Sequence, residues 1–316
     1  MPEAPDIELY LHALHPRIVG RELVRVHINS PFVLQTFDPP IDAAEGKAVA
    51  RLSRLGKRIV ITLADECHIV LHLMIAGRLR WADTVDEEAT ESAKPKRPAR
   101  PPRGGLAVFA FDSGTLTFTE AGTKHRAKLF FVEGEHGLLP HRPRGVDAMN
   151  CELAEFRDAL CAENHTLKRS LTDQRLIQGV GNAYSDEILH RARLSPLART
   201  KSLDDAQIES LWGATRETLR DWRDRLIARF GDRFPGPGQV TAFRPDFAVH
   251  GRYGQACPVC GDPVQRIRYA ENEVNYCPTC QTGGKVLADR SLSRLLKDDW
   301  PRTLDEWEAM ELGPRE

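Results

Sequence analysis

Residues 257–280 read CPVCGDPVQRIRYAENEVNYCPTC, and this stretch decides how the C-terminal part of the chain must fold. Two C-x-x-C knuckles stand sixteen residues apart, which offers four soft thiolate ligands in the arrangement of a tetrahedral structural zinc site. Strand-like residues around a polar turn fill the interval, so Cys257, Cys260, Cys277 and Cys280 are expected to clip a β-hairpin around one Zn2+. Arg266 and Arg268 on that hairpin are candidates to lie against phosphates. Four protein ligands leave no open coordination position, so the metal has no catalytic role in this reading. Cys67, Cys151 and Cys161 are scattered, which suits a metal site in a reducing compartment better than a disulfide framework.

Upstream of the knuckles the apolar residues recur three and four apart, in LAEFRDALCAEN, LKRSLTDQRLIQ, AYSDEILHRARL and a long run from Leu203 to Phe230. Ile208, Leu211, Trp212, Leu219, Trp222 and Leu226 give the last run one apolar face, and Ser202 with Asp205 offers a capping box at its start. Between two of the helical runs, QGVGNAYSDEIL sets Gly179, Gly181 and Asn182 where backbone N–H groups can receive an anion at a helix start. The same glycines would serve equally to join two packed helices, and the text is not G-x-G-x-x-G, because Tyr184 holds the last glycine position.

From about residue 15 to 80 the period changes to two, as in ELVRVHI, RIVITL and HIVLHLMIAGRL, which predicts strands. Residues 83–105 run from acidic to basic with four prolines and almost no large apolar side chain, and are expected to form a mobile surface insert. Strands resume at LAVFAFDSGTLTFTEAG, where Asp112-Ser113-Gly114 marks a hairpin, so the insert interrupts one β domain that extends to about residue 135.

The chain opens MPEAPDIELY, acidic where a secretory signal needs basic residues and an apolar core, and no stretch reaches the length of a membrane span. A cytoplasmic protein is the expectation. Lys plus Arg (44) and Asp plus Glu (45) nearly cancel, so a nucleic-acid partner cannot be argued from net charge. At 316 residues the chain is long enough for two compact domains and a small appended module. Removal of Met1 would expose the secondary amine of Pro2; a terminal amine titrates near pH 8, so part of it is nucleophilic at neutral pH. Glu3 and Asp6 put carboxylates beside it. Taken alone, these residues are no more than an acidic N-terminus.

Together, MPEAPDIE, RLGKRIV, LTDQRLIQGVGNAYSDEIL and the terminal CPVC and CPTCQ resemble the formamidopyrimidine-DNA glycosylase and endonuclease VIII family, in content and in order. The resemblance implies an α+β multidomain fold: a catalytic N-terminal β-sandwich (1–135), a helix-two-turn-helix DNA-binding domain (150–240) and a zinc-finger β-hairpin (245–282), followed by an extension (283–316). It implies a monomer that holds damaged double-stranded DNA in the cleft between its domains. The implied activity is a bifunctional DNA glycosylase and abasic-site lyase of base-excision repair. In that scheme Pro2 attacks C1′ and forms a Schiff base, Glu3 moves protons, and Lys57 contacts a phosphate near the lesion and assists elimination. Lys168 and Asn182 match phosphate-binding positions of the helical domain, and Gly181 is expected to contact DNA beside them. The competing reading is a non-catalytic damaged-DNA-binding protein that recruits repair factors.

The chain departs from the family in places. HLMIAG replaces HLGMSG, leaving Ile75 at the methionine that enters the gap of a flipped base, with Met74 just before it. TEAGTKHRAKL offers Lys124, His125 and Arg126 where an arginine and a phenylalanine fill the space opposite the lesion. Asn272 falls at the finger arginine, which bears on δ-elimination, and Asp6 replaces a glutamate. In the extension, SLSRLLKDDW reads as a short helix.

Overall fold

The computed structural model describes residues 1–84, 105–121, 125–269, 272–288, 301–304 and 306. The insert residues 85–104, Lys124 and the SLSRLLKDDW segment therefore lie outside the described residues. The chain divides into two units, Met1–Arg142 with Arg223–Thr241, and Pro143–Trp222 with Ala242–Glu316.

The first unit opens with a helix that period-two reading misses, α1 (Ala4–Ile18). Ile7, Tyr10, Leu14 and Ile18 recur at helical spacing and are fully buried, and Pro5 occupies the first turn, where a missing N–H costs nothing. Residues 15–18, expected as the start of strand territory, are the last turn of this helix.

Eight strands follow: β1 (Glu22–Ile28), β2 (Lys47–Leu55), β3 (Arg58–Leu63), β4 (Cys67–His72), β5 (Gly77–Asp83), β6 (Gly105–Phe111), β7 (Gly114–Glu120) and β8 (Lys128–Glu133). Their order is β5-β7-β6-β1-β2-β3-β4-β8, antiparallel at every neighbour. The two four-stranded halves meet through only two register pairs, Glu22↔Ala48 and Leu23↔Lys47. Ile59, Ile61, Ile69 and Leu71 from one half share a core with Leu79, Phe109, Leu116 and Phe118 from the other, and with α1. That common core makes the sheet the expected β-sandwich.

Strands β3 and β4 are near-continuous apolar runs because both faces are covered. Alternate residues Val60 and Val70 pack instead with Val132 and with Leu138 of the short α2 (Gly134–Leu138). β6 and β7 form the hairpin that Asp112-Ser113-Gly114 predicted, with Phe111 opposite Gly114. β5, which ends at the insert, pairs along β7 from Gly77↔Glu120 to Asp83↔Gly114, so strands on either side of the insert belong to one sheet.

The second unit contains a two-residue parallel pair, β9 (Val146–Asp147) with β10 (Ile177–Gln178), and helices α3 (Leu153–Cys161), α4 (Leu167–Thr172), α5 (Asn182–Arg191) and α6 (Asp205–Phe230). The helix expected through LKRSLTDQRLIQ stops at Thr172. Ile177 and Gln178 are taken up by β9, and the Gln174 side chain braces the turn by donating to Val180 O and accepting from Gly179 N.

Helix α6 begins one turn after Ser202. Its cap is Asp204, whose carboxylate accepts from Gln207 N (2.8 Å) while the Gln207 side chain accepts from Asp204 N (3.1 Å), so the Ser202–Asp205 assignment is corrected. Ser202 belongs to a separate 3-10 turn and donates to Arg199 O. Beyond Trp222 the helix belongs to the first unit, where Leu226 and Phe230 join the sandwich core. The second unit also holds a hairpin, β11 (Gln265–Tyr269) with β12 (Asn272–Tyr276), and the short α7 (Pro278–Thr282). Among the described residues, no helix is long and apolar enough to cross a membrane.

Candidate active site and four-cysteine centre

In the first unit the chain's amino end is built into the protein. Pro2 is buried, and Glu3 and Asp6 are 3% and 2% exposed, where a solvated acidic tail would leave them in water. Glu3 caps α1: its carbonyl accepts from Asp6 N and Ile7 N, both at 3.0 Å, and the Asp6 carboxylate accepts from Glu3 N at 2.8 Å. Asp6 thus fixes the backbone that carries Glu3.

Lys57 sits in the two-residue turn between β2 and β3, with Leu55 opposite Arg58 and Gly56 at φ +59 in the first turn position, the geometry that favours glycine there. A lysine at a hairpin tip ordinarily reaches into water, yet this one is only 5% exposed. Arg54 secures the turn, donating from Nη1 to Gly56 O (3.0 Å) and from Nε to the carboxylate of Glu8 on α1 (2.7 Å).

Burial pushes the Lys57 ammonium below the usual lysine range, and the carboxylates of Glu3 and Asp6 pull the other way. Burial also lowers the terminal amine of Met1. Glu3 opposes that fall, whereas the charge of Arg78 adds to it. The same four side chains therefore act on the amino end: Glu3, Asp6, Lys57 and Arg78.

Sequence reasoning missed Arg78. Its Nη1 donates to Ile75 O (3.0 Å) and Gly77 O (2.7 Å), closing the turn between β4 and β5. Met74 has φ +52 in that turn, and Ile75 stands 57% exposed at its tip. Of the three residues considered opposite a lesion, His125 and Arg126 are described. Arg126 N and Ala127 N both donate to the buried carboxylate of Glu120.

In the second unit, Lys168, Gly181 and Asn182 come together at the start of α5. Gly181 is the cap residue, and Gly179 before it has φ +94. Lys168 is 7% exposed, and its Nζ donates to Asn182 O and to Asp186 Oδ1, both at 2.6 Å. The other Asp186 oxygen meets His250 Nδ1 at 2.7 Å and Asn275 Nδ2 at 3.3 Å. Next to it the Glu187 carboxylate accepts from the backbone N–H groups of Ala248, Val249 and His250. Asp186, Glu187 and His250 give no motif signal, because the contacts that join Asp186 and Glu187 to residues 248–250 span more than sixty residues.

The sulfurs of Cys257, Cys260, Cys277 and Cys280 all lie within 4.8 Å of one another. Cys260 and Cys277 approach to 3.4 Å and Cys257 and Cys280 to 3.9 Å, which brings both knuckles to one point as a tetrahedral thiolate site requires. The donor set fits one structural Zn2+. On the clipped hairpin, Arg266 stacks on Tyr253 (4.1 Å to the ring centre) and faces Glu273 at 3.9 Å. Asn272 pairs with Tyr269 in the ladder, and its side chain lies outside the described residues.

Comparison with known proteins follows the same division. Residues 1–126 match the formamidopyrimidine-DNA glycosylase N-terminal domain, residues 145–222 the formamidopyrimidine-DNA glycosylase H2TH domain, and residues 254–283 the zinc finger found in FPG and IleRS. A formamidopyrimidine-DNA glycosylase of Heliobacterium modesticaldum is 31% identical over 289 residues, covering 89% of this chain and all of the relative. An uncharacterised formamidopyrimidine-DNA glycosylase-like protein of Mycobacterium tuberculosis is 42% identical over 161 residues, 51% of this chain and 99% of the relative. The crystal structure of the MutM (Fpg) protein of Thermus thermophilus superimposes with a TM-score of 0.70 at 29% identity, covering 89% of this chain and 98% of that one.

Proposed function

This chain belongs to the formamidopyrimidine-DNA glycosylase family, and we propose that it excises a damaged base from double-stranded DNA and then cleaves the abasic site, with Pro2 as nucleophile. The observation that carries the reading is the amino end itself. Pro2 is buried next to the buried carboxylates of Glu3 and Asp6, and with Met1 in place the terminal amine at this end lies below its ordinary range, chiefly through burial, which is the kind of environment an amine nucleophile needs.

Once Met1 is removed, the Pro2 nitrogen forms a bond to C1′ while the bond from C1′ to the base breaks, and the base departs with a proton. The sugar ring then opens. Pro2 is a secondary amine, so the product is a cationic iminium that has no N–H to lose and draws electrons from C2′. Loss of a C2′ proton expels the 3′ phosphate, and water releases the sugar fragment and restores the amine. Glu3 is the buried carboxylate nearest in sequence to this chemistry and is assigned the proton transfers. Lys57 is assigned the stabilisation of the departing phosphate.

A base within a duplex must be turned out before its C1′ can be reached. Ile75, exposed at the tip of its turn, is the apolar side chain assigned to the vacated space, and Asn182, Gly181 and Arg266 are assigned to phosphates. Lys168 enters as a support: both of its short contacts are internal, and one of them holds the backbone of Asn182.

The test is covalent capture. Met1-processed protein, verified by mass spectrometry, is incubated with duplex carrying one abasic site and treated with borohydride. The expected adduct maps to a peptide beginning at Pro2 and is lost in Pro2→Gly. Absence of any adduct, with duplex binding intact, overturns the lyase and leaves the damage-binding reading.

A further inference from the structure

Helix α5 carries Asn182, Asp186 and His190 at intervals of four, so the three side chains lie along one face. Each of them reaches the C-terminal module. Asn182 Nδ2 donates to Glu273 O at 3.0 Å, Asp186 meets His250 and Asn275, and His190 Nε2 lies 3.3 Å from the sulfur of Cys257. Gln281, inside the second knuckle's helix, extends the same attachment by donating to Leu194 O at 2.9 Å. The first two contacts belong to the network around Lys168, whereas the third touches the cysteine centre itself.

A Zn2+ held by four thiolates carries a formal charge of about −2. Here Cys257 is 3% exposed and Cys277 fully buried, so part of that charge is beyond the reach of water and calls for N–H donors from the protein. Cys280 N, 3.5 Å from the Cys277 sulfur, is one such donor. For Cys257 the imidazole of His190 is in position, and His190 is itself 6% exposed and fixed on a helix. A metal-bound cysteine is deprotonated and can only accept. The contact therefore has one polarity, with Nε2–H as donor and sulfur as acceptor. The cluster in which all ligand atoms lie within 4.8 Å of one another consists of the four sulfurs without His190.

We propose that His190 is an outer-shell positioning residue of the zinc centre, which orients Cys257 and retains the metal through an Nε2–H···S bond. It ties the metal to the helix whose first residue is Asn182. A buried histidine that merely fills space would touch the same sulfur without affecting how long zinc stays.

Zinc retention separates the two. The zinc-loaded full-length protein is challenged with excess chelator in the presence of a chromogenic zinc indicator. His190→Phe, which keeps a ring and removes the donor, is expected to release zinc at least about ten-fold faster than the unsubstituted protein. His190→Gln, which returns an N–H near the Nε2 position, should recover most of the difference. Equal release from His190→Phe and the unsubstituted protein overturns the proposal, as does failure of His190→Gln to recover any of the loss.

If His190→Phe does not fold, the unsubstituted protein loaded with 113Cd decides. A slowly exchanging His190 Hε2 with scalar coupling to the cadmium through the sulfur is expected. Direct coupling of cadmium to an imidazole nitrogen would make His190 a ligand, and absence of the protected proton would leave no hydrogen bond; either result overturns the assignment.

Discussion

Lys57 and Lys168 are equally withdrawn from water, at 5% and 7% exposure, one in each unit, and the two are opposite in kind. Lys168 has its ammonium clasped by a carbonyl and a carboxylate at 2.6 Å. Lys57 is held at a hairpin tip where burial outweighs the pull of Glu3 and Asp6, so its charged form is disfavoured. Burial therefore does not distinguish a lysine whose charge is met within the fold from one proposed to act on DNA. What distinguishes them is whether folding has already satisfied the charge.

The largest effect expected from this contrast is on stability in the second unit. Lys168→Met leaves the fully buried Asp186 carboxylate without its main counter-charge, a change that costs about 3–5 kcal/mol when a buried pair is broken from one side. Native-state hydrogen exchange should show that loss in the amides of α5, which Lys168 anchors through Asn182 O. Lys57→Met should show no comparable loss in β2 and β3. If the two substitutions destabilise their surroundings equally, the contrast fails.

An intermediate effect is expected on chemistry, and it runs the other way. Lys57→Met is predicted to slow cleavage of abasic duplex by at least about 10²-fold, the scale of removing one preorganised charge from a departing group. It should leave binding to an uncleavable abasic analogue within about three-fold. The pH dependence has a definite sign. Because burial lowers the folded-state affinity of Lys57 for a proton, the unfolded chain binds more protons between the depressed value and the ordinary lysine value near 10.4. Stability of the first unit thus rises with pH through that window, and Lys57→Met removes the rise. A first unit whose stability falls across the same window in the unsubstituted protein would contradict the assignment.

Much of the architecture was legible in the residues. The knuckle spacing dictated the cysteine cluster, the period-two runs dictated the sheet, and Asp112-Ser113-Gly114 dictated a hairpin. What was hidden depended on partners distant in sequence. MPEAPDIELY reads as an acidic tail until Ile7, Tyr10, Leu14 and Ile18 are seen to enter the sandwich core as a helix. Arg78 looks like one more polar strand residue, and only the fold shows it closing the turn that presents Ile75. The same holds for His190 and His250, whose partners Cys257 and Asp186 lie on other elements.

The smallest expected effect takes the contrast down to neighbouring residues. Ser202 and Asp204 stand two apart, and by residue type both are good helix caps. Only Asp204 has the reciprocal partner, because Gln207 lies three residues on and returns a bond to its N–H, whereas Ser202 is spent on Arg199 O in a preceding turn. Asp204→Ala should cost about 1 kcal/mol, read as lost hydrogen-exchange protection in the first turns of α6, and Ser202→Ala only a few tenths. Both residues are near water, so neither change exposes a buried charge, and the effect should stay well below that of Lys168→Met. The ranking rests on one physical quantity throughout: how completely the fold has already met the polar group that the substitution removes. If Ser202→Ala matched Asp204→Ala, residue type alone would explain helix capping here, and the partner-based account would lose its simplest case.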